Sequence, residues 1–206
     1  MVFLAKTYQL PRNTLIIPIG IPASGKTTLR EEIKAVAKKQ KVPLCIISPD
    51  EIRFKLLDFE HTGKSYDEKI EPQVWQHVTY EMGKCVEQEK SIFIDATNIN
   101  QADRSRLLNR IKGELYDAEA HYLQINPEYA VWRDKQRIES STSKEKRSVG
   151  KAVVYQKYFA LQPPMEAEGF KNIYTYKQHP TETECKIIPN ATWNASQNMC
   201  QLIMDL

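Results

Sequence analysis

The sequence predicts an α/β fold of three layers, in which a mostly parallel sheet of about five strands carries helices on both faces. Short apolar runs rich in β-branched residues alternate along the chain with longer segments of good helix formers. This alternation is typical of βαβ units, which build parallel sheets covered by helices. The chain has 206 residues, of which 41% are hydrophobic and 27% are charged, so one globular domain with a sizeable core is expected.

The predicted strands and helices follow one another from residue 15 to residue 176. The strands are expected at residues 15–19, 42–48, 91–97, 121–125 and 172–176. The helices are expected at residues 27–40, 70–90, 101–112, 128–140 and 149–161. In the second of these helices, Val74, Val78 and Met82 recur at helical spacing, which indicates one buried face. The last strand completes a predicted domain over residues 1–177.

Residues 178–206 are mostly polar and are predicted to be an extension that packs on the domain. An apolar cluster near the end of this extension predicts a C-terminal helix and comprises Met199, Leu202, Ile203 and Met204. No chemistry is assigned to the extension.

The cysteine pattern and the apolar runs indicate the compartment. The cysteines are Cys45, Cys85, Cys185 and Cys200. They lack the spacing of a zinc site or of a dense disulfide framework, so reduced thiols are expected. The apolar run at residues 2–5 is too short for a signal peptide, and no stretch approaches the ~18 apolar residues of a spanning helix. We therefore expect a cytoplasmic protein without a membrane partner.

The formal net charge of +3 excludes a histone-like polycation but not a local basic groove.

A phosphate-binding loop follows the first predicted strand. The segment GIPASGKTT matches G-x-x-x-x-G-K-[S/T], the Walker A motif, and leads into a predicted helix. Backbone N–H groups of such a loop surround the β-phosphate, Lys26 reaches the β- and γ-phosphates, and Thr27 offers a hydroxyl to Mg²⁺. The loop residues expected to bind the nucleotide are Gly20, Ile21, Pro22, Ala23, Ser24, Gly25, Lys26, Thr27 and Thr28. The motif predicts a P-loop protein that binds a nucleoside triphosphate and Mg²⁺, with Lys26 as a catalytic residue.

The second predicted strand ends in SPDEIRF, which places Asp50 and Arg53 in a D-x-x-R spacing. In isolation such a pair indicates a helix N-cap with a solvated ion pair. Beside a phosphate-binding loop, a carboxylate at the carboxyl end of a neighbouring strand is placed to accept the proton of an incoming hydroxyl. Asp50 is therefore a candidate catalytic base. Both residues are candidates for substrate binding, with Arg53 holding an anionic group of the acceptor.

The third predicted strand closes on Asp95, in the segment IFIDATN. A Walker B motif uses a carboxylate at this point to orient hydrated Mg²⁺, so Asp95 and Thr27 are the candidate metal ligands. The next residue is Ala96, whereas motor ATPases usually carry a glutamate there that polarises the attacking water. This difference favours transfer to an acceptor over hydrolysis. The chain has no N-K-x-D segment for guanine recognition, so ATP is favoured as the donor.

Arginines after the fourth predicted strand indicate a helical lid at about residues 133–150. Arg133 and Arg137 are four residues apart, so they share one face of a helix. Charge alone fits a solvated basic face equally well. A phosphoryl-transfer site, however, needs a cation to neutralise charge on the transferred group, and a lid would exclude water. Arg137 is the first candidate for the catalytic arginine and Arg133 the second, and both are expected to contact the nucleotide.

Taken in order, the segments GIPASGKTT, SPDEIR, IDATNINQADR and WRDKQR resemble the kinase module of the phage and bacterial polynucleotide 5′-hydroxyl kinase family. The resemblance runs from about residue 15 to residue 176. It implies a P-loop kinase fold with a helical lid. It also implies transfer of the γ-phosphate of ATP to the 5′-hydroxyl end of RNA or DNA, as in nucleic-acid repair.

The resemblance further implies roles for individual residues. It makes Asp50 the general base, Arg53 the group that grips the acceptor phosphate, and Arg137 the lid arginine. It adds Asn98 and Arg104 as further residues that bind the acceptor.

The chain departs from that family at two points. Phage members carry an aspartate at the position of Ala96, so Asp95 takes the metal role, as in bacterial members. The lid segment between Arg137 and Arg147 is longer than the lid of that family. No D-x-D-G-T phosphatase motif and no K-x-D-G ligase motif is present, so separate chains would supply any phosphatase or ligase activity.

Two other functions fit the same residues. A P-loop kinase of a small molecule, a nucleotide sugar or a protein shares the loop, the strand-end aspartate and the basic lid. An ATP-dependent switch without a phosphoryl acceptor needs only the nucleotide site. The sequence leaves open the preference for RNA or DNA, the strandedness of the end and the oligomeric state.

Overall fold

A parallel sheet of five strands forms the centre of the protein. The computed structural model describes residues 3–58, 66–139, 148–189 and 191–202. The strands of the sheet are β1 Thr14–Ile19, β2 Leu44–Ile47, β3 Ser91–Ile94, β4 Asp117–Ile125 and β5 Asn172–Gln178. Their order is β2-β3-β1-β4-β5, and every neighbouring pair is parallel. The predicted sheet is therefore confirmed.

Helices connect the strands and cover both faces of the sheet. They are α1 Lys26–Gln40, α2 Pro49–Leu56, α3 Glu71–Glu87, α4 Gln101–Ile111, α5 Pro127–Glu139 and α6 Lys151–Ala160. Helix α2 lies outside the predicted elements. It starts favourably, because the Ser48 hydroxyl accepts a hydrogen bond from the N–H of Glu51 and Pro49 occupies the first turn. No helix in the described part of the chain is long and apolar enough to cross a membrane.

The core is divided by the sheet, because successive strand residues point to opposite faces. Helices α3 and α4 cover one face, whose buried side chains include Leu15, Ile17, Val78, Met82, Ile92 and Leu107. Helix α1 and the N-terminal segment cover the other, whose buried side chains include Phe3, Leu10, Ile16, Leu29, Ile33 and Phe93. Strand β1 is buried along its whole length, so the loop that follows it starts from a rigid base.

The strand order indicates a candidate site at the carboxyl end of β1. Strands β2 and β3 lie on one side of β1, and strands β4 and β5 lie on the other side. In open α/β sheets, ligands bind outside the carboxyl ends of the strands at the point where the strand order reverses. The loop over residues 20–28 begins at this point.

The C-terminal extension contains a hairpin rather than the predicted helix. A short helix, α7 Glu182–Cys185, precedes antiparallel strands β6 Ala191–Asn194 and β7 Met199–Leu202. The prediction of a helix was wrong because a short apolar cluster carries no clear period. In the hairpin, pairing of Trp193 with Cys200 sets the register instead. Ile203 and Met204 lie outside the described residues.

The cysteines are paired, so the expectation of reduced thiols was also wrong. Cys45 of β2 forms a disulfide with Cys85 of α3, and Cys185 of α7 forms one with Cys200 of β7. The paired residues are separated by 40 and 15 positions in the sequence. Spacing alone could not reveal these pairs, because tertiary packing brings their Cα atoms to 6.3 and 5.7 Å.

Candidate active site

The loop over residues 20–28 has the backbone of a phosphate-binding loop. The N–H of Gly20 donates to the carbonyl of Thr97 at 3.1 Å, which ties the loop to the chain that follows β3. A Cβ atom on Gly20 would lie 2.5 Å from Ser24 Oγ, so glycine is required there. Gly25 has φ +96° at the start of α1, a conformation that favours glycine. No described side chain caps this end of α1, which leaves first-turn N–H groups to bind an anion.

The side chains of the loop divide between the interior and solvent. Ile21 and Ser24 are buried, so these two residues can offer a nucleotide only their backbone groups. Thr27 and Thr28 are exposed in the first turn of α1. The partly buried loop residues are Pro22, Ala23, Gly25 and Lys26.

Lys26 lies at the electrostatic centre of the predicted site. Its ammonium donates to the carbonyls of Gly20 and Ile21 at 2.9 and 2.8 Å. The pKa of Lys26 is lowered to about 8, mainly because the side chain is buried and also because of the positive charge of Arg137. The carboxylates of Asp95 and Asp50 act in the opposite direction. The structure thus brings together four charged residues that the sequence singled out from separate segments. They are Lys26, Asp50, Asp95 and Arg137.

Asp95 has a partner that the sequence analysis missed. Arg30 of α1 donates to Asp95 Oδ2 at 2.6 Å, and the Asp95 side chain is 15% exposed. Arg30 follows Thr27 by three residues, so both lie on one helical face. That spacing was the signal in the sequence that could have identified Arg30, although it did not show that Arg30 contacts Asp95.

The residues at this end of the sheet fit a magnesium ion. Thr27 and Asp95 carry side-chain oxygens, the kind of ligand that Mg²⁺ prefers. In the described residues, no group of three or more histidine, cysteine or carboxylate side chains could hold a metal. Mg²⁺ is usually bound in phosphoryl-transfer sites by one or two carboxylates together with substrate phosphates. The set of donors therefore suits a metal that arrives with a nucleotide.

Asp50 and Arg53 lie on α2, beyond the carboxyl end of β2. The Asp50 side chain is 73% exposed, whereas that of Arg53 is 12% exposed. Arg53 donates to Asp50 and also to both carboxylate oxygens of Glu71, at 2.6 and 3.1 Å. The ring of Tyr66 lies over the guanidinium at 5.7 Å. Glu71 was missed, because it is 18 residues from Arg53 and no local pattern links them.

Arg133 contacts the phosphate-binding loop through a glutamine. Its guanidinium donates to Gln178 Oε1 at 2.8 Å, and Gln178 Nε2 donates to the carbonyl of Ser24 at 2.7 Å. Arg133 also lies 5.7 Å from the centre of the Tyr129 ring. Arg133 is thus linked to the loop that is predicted to bind the nucleotide, and Gln178 is an additional residue at the end of β5.

Arg137 lies one turn further along α5 and pairs with a buried carboxylate. It donates to Asp134 Oδ1 at 2.7 Å. The other oxygen of Asp134 accepts hydrogen bonds from Ser148 Oγ at 2.5 Å and from the N–H groups of Val149 and Gly150 at 3.0 and 3.3 Å. Asp134 therefore joins α5 to the chain that enters α6. Residues 140–147 of the predicted lid lie outside the described residues.

Asn98 and Arg104 are buried within the fold, which argues against the acceptor-binding role that the resemblance implied. Asn98 is 3% exposed, and its amide donates to the carbonyl of Pro18 at 2.8 Å. Arg104 is fully buried and forms two hydrogen bonds of 2.7 Å with Glu168. It also donates to the carbonyl of Gln162 at 2.9 Å. Both side chains fix internal backbone, because each is enclosed by groups of the fold.

A cavity of about 520 Å³ adjoins the other side of the loop. Ile21 of the loop, Gln178 and His179 at the end of β5, and Tyr158 of α6 contribute to its wall. The hairpin strand β7 lines it as well. Its volume is in the range of small-molecule sites.

The fold resembles several solved structures at low identity. A chain of the Pnkp1/Rnl/Hen1 RNA repair complex is 18% identical, with a TM-score of 0.60, and the match covers 77% of this chain and 47% of that one. Kti12 of Chaetomium thermophilum, in complex with ADP-AlF3, is 15% identical, with coverage of 84% and 94% and a TM-score of 0.59. A chain of the PezAT toxin–antitoxin system of Streptococcus pneumoniae is 17% identical, with coverage of 85% and 72% and a TM-score of 0.54. The chain spans about half the length of the first of these.

The fold and the loop define a protein of the P-loop kinase class. A family model described as "AAA domain" matches residues 15–164. The match covers more than half of the chain, so the chain belongs to this family. No curated protein matches the sequence.

Proposed function

We propose that the chain is an ATP-dependent polynucleotide 5′-hydroxyl kinase. The observation that carries the proposal is the exposed carboxylate of Asp50, which lies directly beyond the carboxyl end of β2 and whose negative charge raises the pKa of Lys26. A carboxylate that faces solvent beside such a loop can accept a proton from an arriving hydroxyl. Pockets for small metabolites bury most of their ligand, whereas the end of a polymer needs an open site. The exposure of Asp50 therefore favours a large acceptor.

Other observations support parts of this proposal. The ring of Tyr66 is 60% exposed and lies over Arg53, next to Asp50. An exposed aromatic ring is a platform on which a nucleobase of any sequence can stack. The similarity to a chain of an RNA repair complex supports a nucleic-acid acceptor, and the similarity to Kti12 with ADP-AlF3 supports nucleotide binding. Phosphatase or ligase activity would come from partner chains.

In the proposed reaction, the acceptor oxygen attacks the γ-phosphorus of ATP. Its proton passes to Asp50, the γ-phosphorus forms a bond to that oxygen, and the bond to the β-phosphate oxygen breaks to release ADP. Lys26 and Arg137 neutralise charge on the transferred group. The cavity beside Ile21 would receive the nucleoside of the donor.

Thr27 and Asp95 would hold Mg²⁺ in this site. The ion supplies positive charge next to the phosphates. Arg30, which donates to Asp95, would keep that carboxylate oriented.

An acceptor panel tests the proposed substrate class. Purified protein is incubated with ATP and Mg²⁺ and one acceptor at a time: a 5′-hydroxyl RNA or DNA oligonucleotide, gluconate, a nucleotide sugar or casein. We expect ADP release to depend on the oligonucleotides. Release driven by gluconate, the nucleotide sugar or casein instead would assign the site to another kind of kinase. Tight ATP binding without ADP release on any acceptor would indicate a switch.

ATP binding is expected to take up protons near pH 8. With a pKa of about 8, roughly half of the Lys26 side chains are neutral at that pH. Bound triphosphate favours the charged form and raises this pKa, so binding takes up about half a proton at pH 8 and almost none from this group at pH 6.5. Binding therefore weakens as the pH rises above 8. Calorimetry in two buffers of different ionisation enthalpy measures the uptake.

The matched control for this measurement is Lys26→Met. The variant is expected to bind ATP more weakly and to show no uptake from this position. Equal uptake by the variant and the wild type at pH 8 would assign the proton to another group.

A further inference from the structure

The guanidinium of Arg53 is enclosed by protein groups. Its Nε and Nη2 atoms donate to the two oxygens of Glu71, and its Nη1 atom donates to Asp50. The Arg53 and Glu71 side chains are 12% and 22% exposed, whereas Asp50 is 73% exposed. Hydrogen bonding to Glu71 is the main cause that raises the pKa of Arg53 above its ordinary value. The exposed carboxylate is thus attached to a less exposed, bidentate ion pair.

The two sides of the Arg53 guanidinium have different partners, Glu71 and Asp50, and therefore different roles. The side that could grip an acceptor phosphate with two parallel hydrogen bonds is taken by Glu71. The remaining Nη1 atom points to Asp50. Arg53 therefore orients the carboxylate of Asp50, and it would have to release Glu71 to hold a phosphate in the same bidentate way.

We infer that Glu71 is a positioning residue for phosphoryl transfer, acting through Arg53 on Asp50. The inference rests on the proposed function, in which Asp50 is the base. Glu71 is the first residue of α3, and α3 packs against α2, so its backbone is anchored independently of the loop that carries the nucleotide. A long arginine side chain between two carboxylates keeps its geometry only while both ends are held. Displacing a catalytic group by about 1 Å can cost about 100-fold in rate.

The kinetic test replaces Glu71 with glutamine, which has the same shape but no charge. We expect kcat to fall about 10- to 100-fold, with little change in KM for ATP. Glu81→Gln is the matched control, because Glu81 lies on the same helix and pairs with the half-buried Lys84 at 3.2 Å. This control is expected to match the wild type. An unchanged kcat in Glu71→Gln would overturn the inference.

A double-mutant cycle separates positioning from general damage. In an Arg53→Lys background the bidentate pair is already lost, so adding Glu71→Gln is expected to reduce kcat less than twofold further. If the double variant loses kcat by the product of the two single-variant factors, Glu71 acts independently of Arg53 and the inference is overturned. Thermal unfolding of each variant checks that the fold is retained.

A spectroscopic measurement distinguishes failure of this inference from failure of the proposed function. Hydrogen exchange of the Arg53 Nε–H, followed by NMR, is expected to be slow in the wild type and in Glu81→Gln, and at least tenfold faster in Glu71→Gln. Rapid exchange in the wild type would overturn the pairing itself. Slow exchange in a protein that transfers phosphate to no acceptor would refute the proposed function, and the positioning role with it, while leaving the pair established.

Discussion

Replacing Asp50 with asparagine is expected to reduce phosphoryl transfer by about 10²- to 10⁴-fold, the range usual for loss of a general base. Asparagine keeps the shape of the side chain and can still accept a hydrogen bond from Arg53, but it cannot take the proton of the acceptor hydroxyl. The phosphate-binding loop is not altered. The loss should therefore appear in kcat, measured with saturating oligonucleotide and ATP.

Two controls make the Asp50→Asn result specific. Glu51→Gln removes the next carboxylate of α2, which is also exposed, and is expected to leave the rate within about twofold of the wild type. The comparison should be made near pH 7, because the Asp50 charge opposes the fall in the pKa of Lys26 and its removal would discharge part of Lys26 at higher pH. Transfer by Asp50→Asn within threefold of the wild type would rule out Asp50 as the base.

The second large effect is one of stability, at Arg104. Arg104 and Glu168 are both fully buried in their side chains, and breaking such a pair typically costs about 3–5 kcal/mol because one charge is left uncompensated. Arg104→Met should therefore lower the free energy of unfolding by that amount. For a chain of this size the corresponding fall in Tm is roughly 6–20 °C. Differential scanning calorimetry measures it.

The same helix offers a matched control for Arg104. Arg106 is 70% exposed and lies 3.5 Å from Asp103, so Arg106→Met should cost less than about 1 kcal/mol. Arg104→Met combined with Glu168→Met should recover stability relative to Arg104→Met alone, because no buried charge remains. Equal unfolding temperatures for Arg104→Met and Arg106→Met would contradict the structural role. Loss of activity in Arg104→Met is then expected to follow unfolding rather than loss of an acceptor contact.

Local patterns in the sequence were sufficient for the parallel sheet and the phosphate-binding loop. Each strand is a short apolar run, and the loop is a contiguous motif whose glycines have a clear steric reason at Gly20 and Gly25. Helix α2 escaped prediction because its apolar residues, Ile52, Phe54 and Leu56, recur at every second position, a spacing typical of a strand rather than of a helix. The helix begins at a capping serine, Ser48, whereas the sequence pattern indicates Asp50 as the cap.

The sequence could not show which side chains become ion-pair partners when the chain folds. Glu71, Glu168 and Arg30 each complete an ion pair with a residue of another element. Arg104 illustrates the consequence. It lies in a motif that resembles a functional segment, but only the tertiary structure shows that its guanidinium is enclosed. The disulfides and the C-terminal hairpin belong to the same category, because long-range pairing leaves no periodic signal.

Transfer of labelled γ-phosphate from ATP to a 5′-hydroxyl oligonucleotide tests the central claim most directly. The control is the same oligonucleotide with a 5′-phosphate, and the position of the label is established by nuclease digestion. We expect label at the 5′ end of the hydroxyl form alone, with Mg²⁺ present. Folded protein that binds ATP but labels neither oligonucleotide, or labels both equally, would contradict the proposed 5′-hydroxyl kinase.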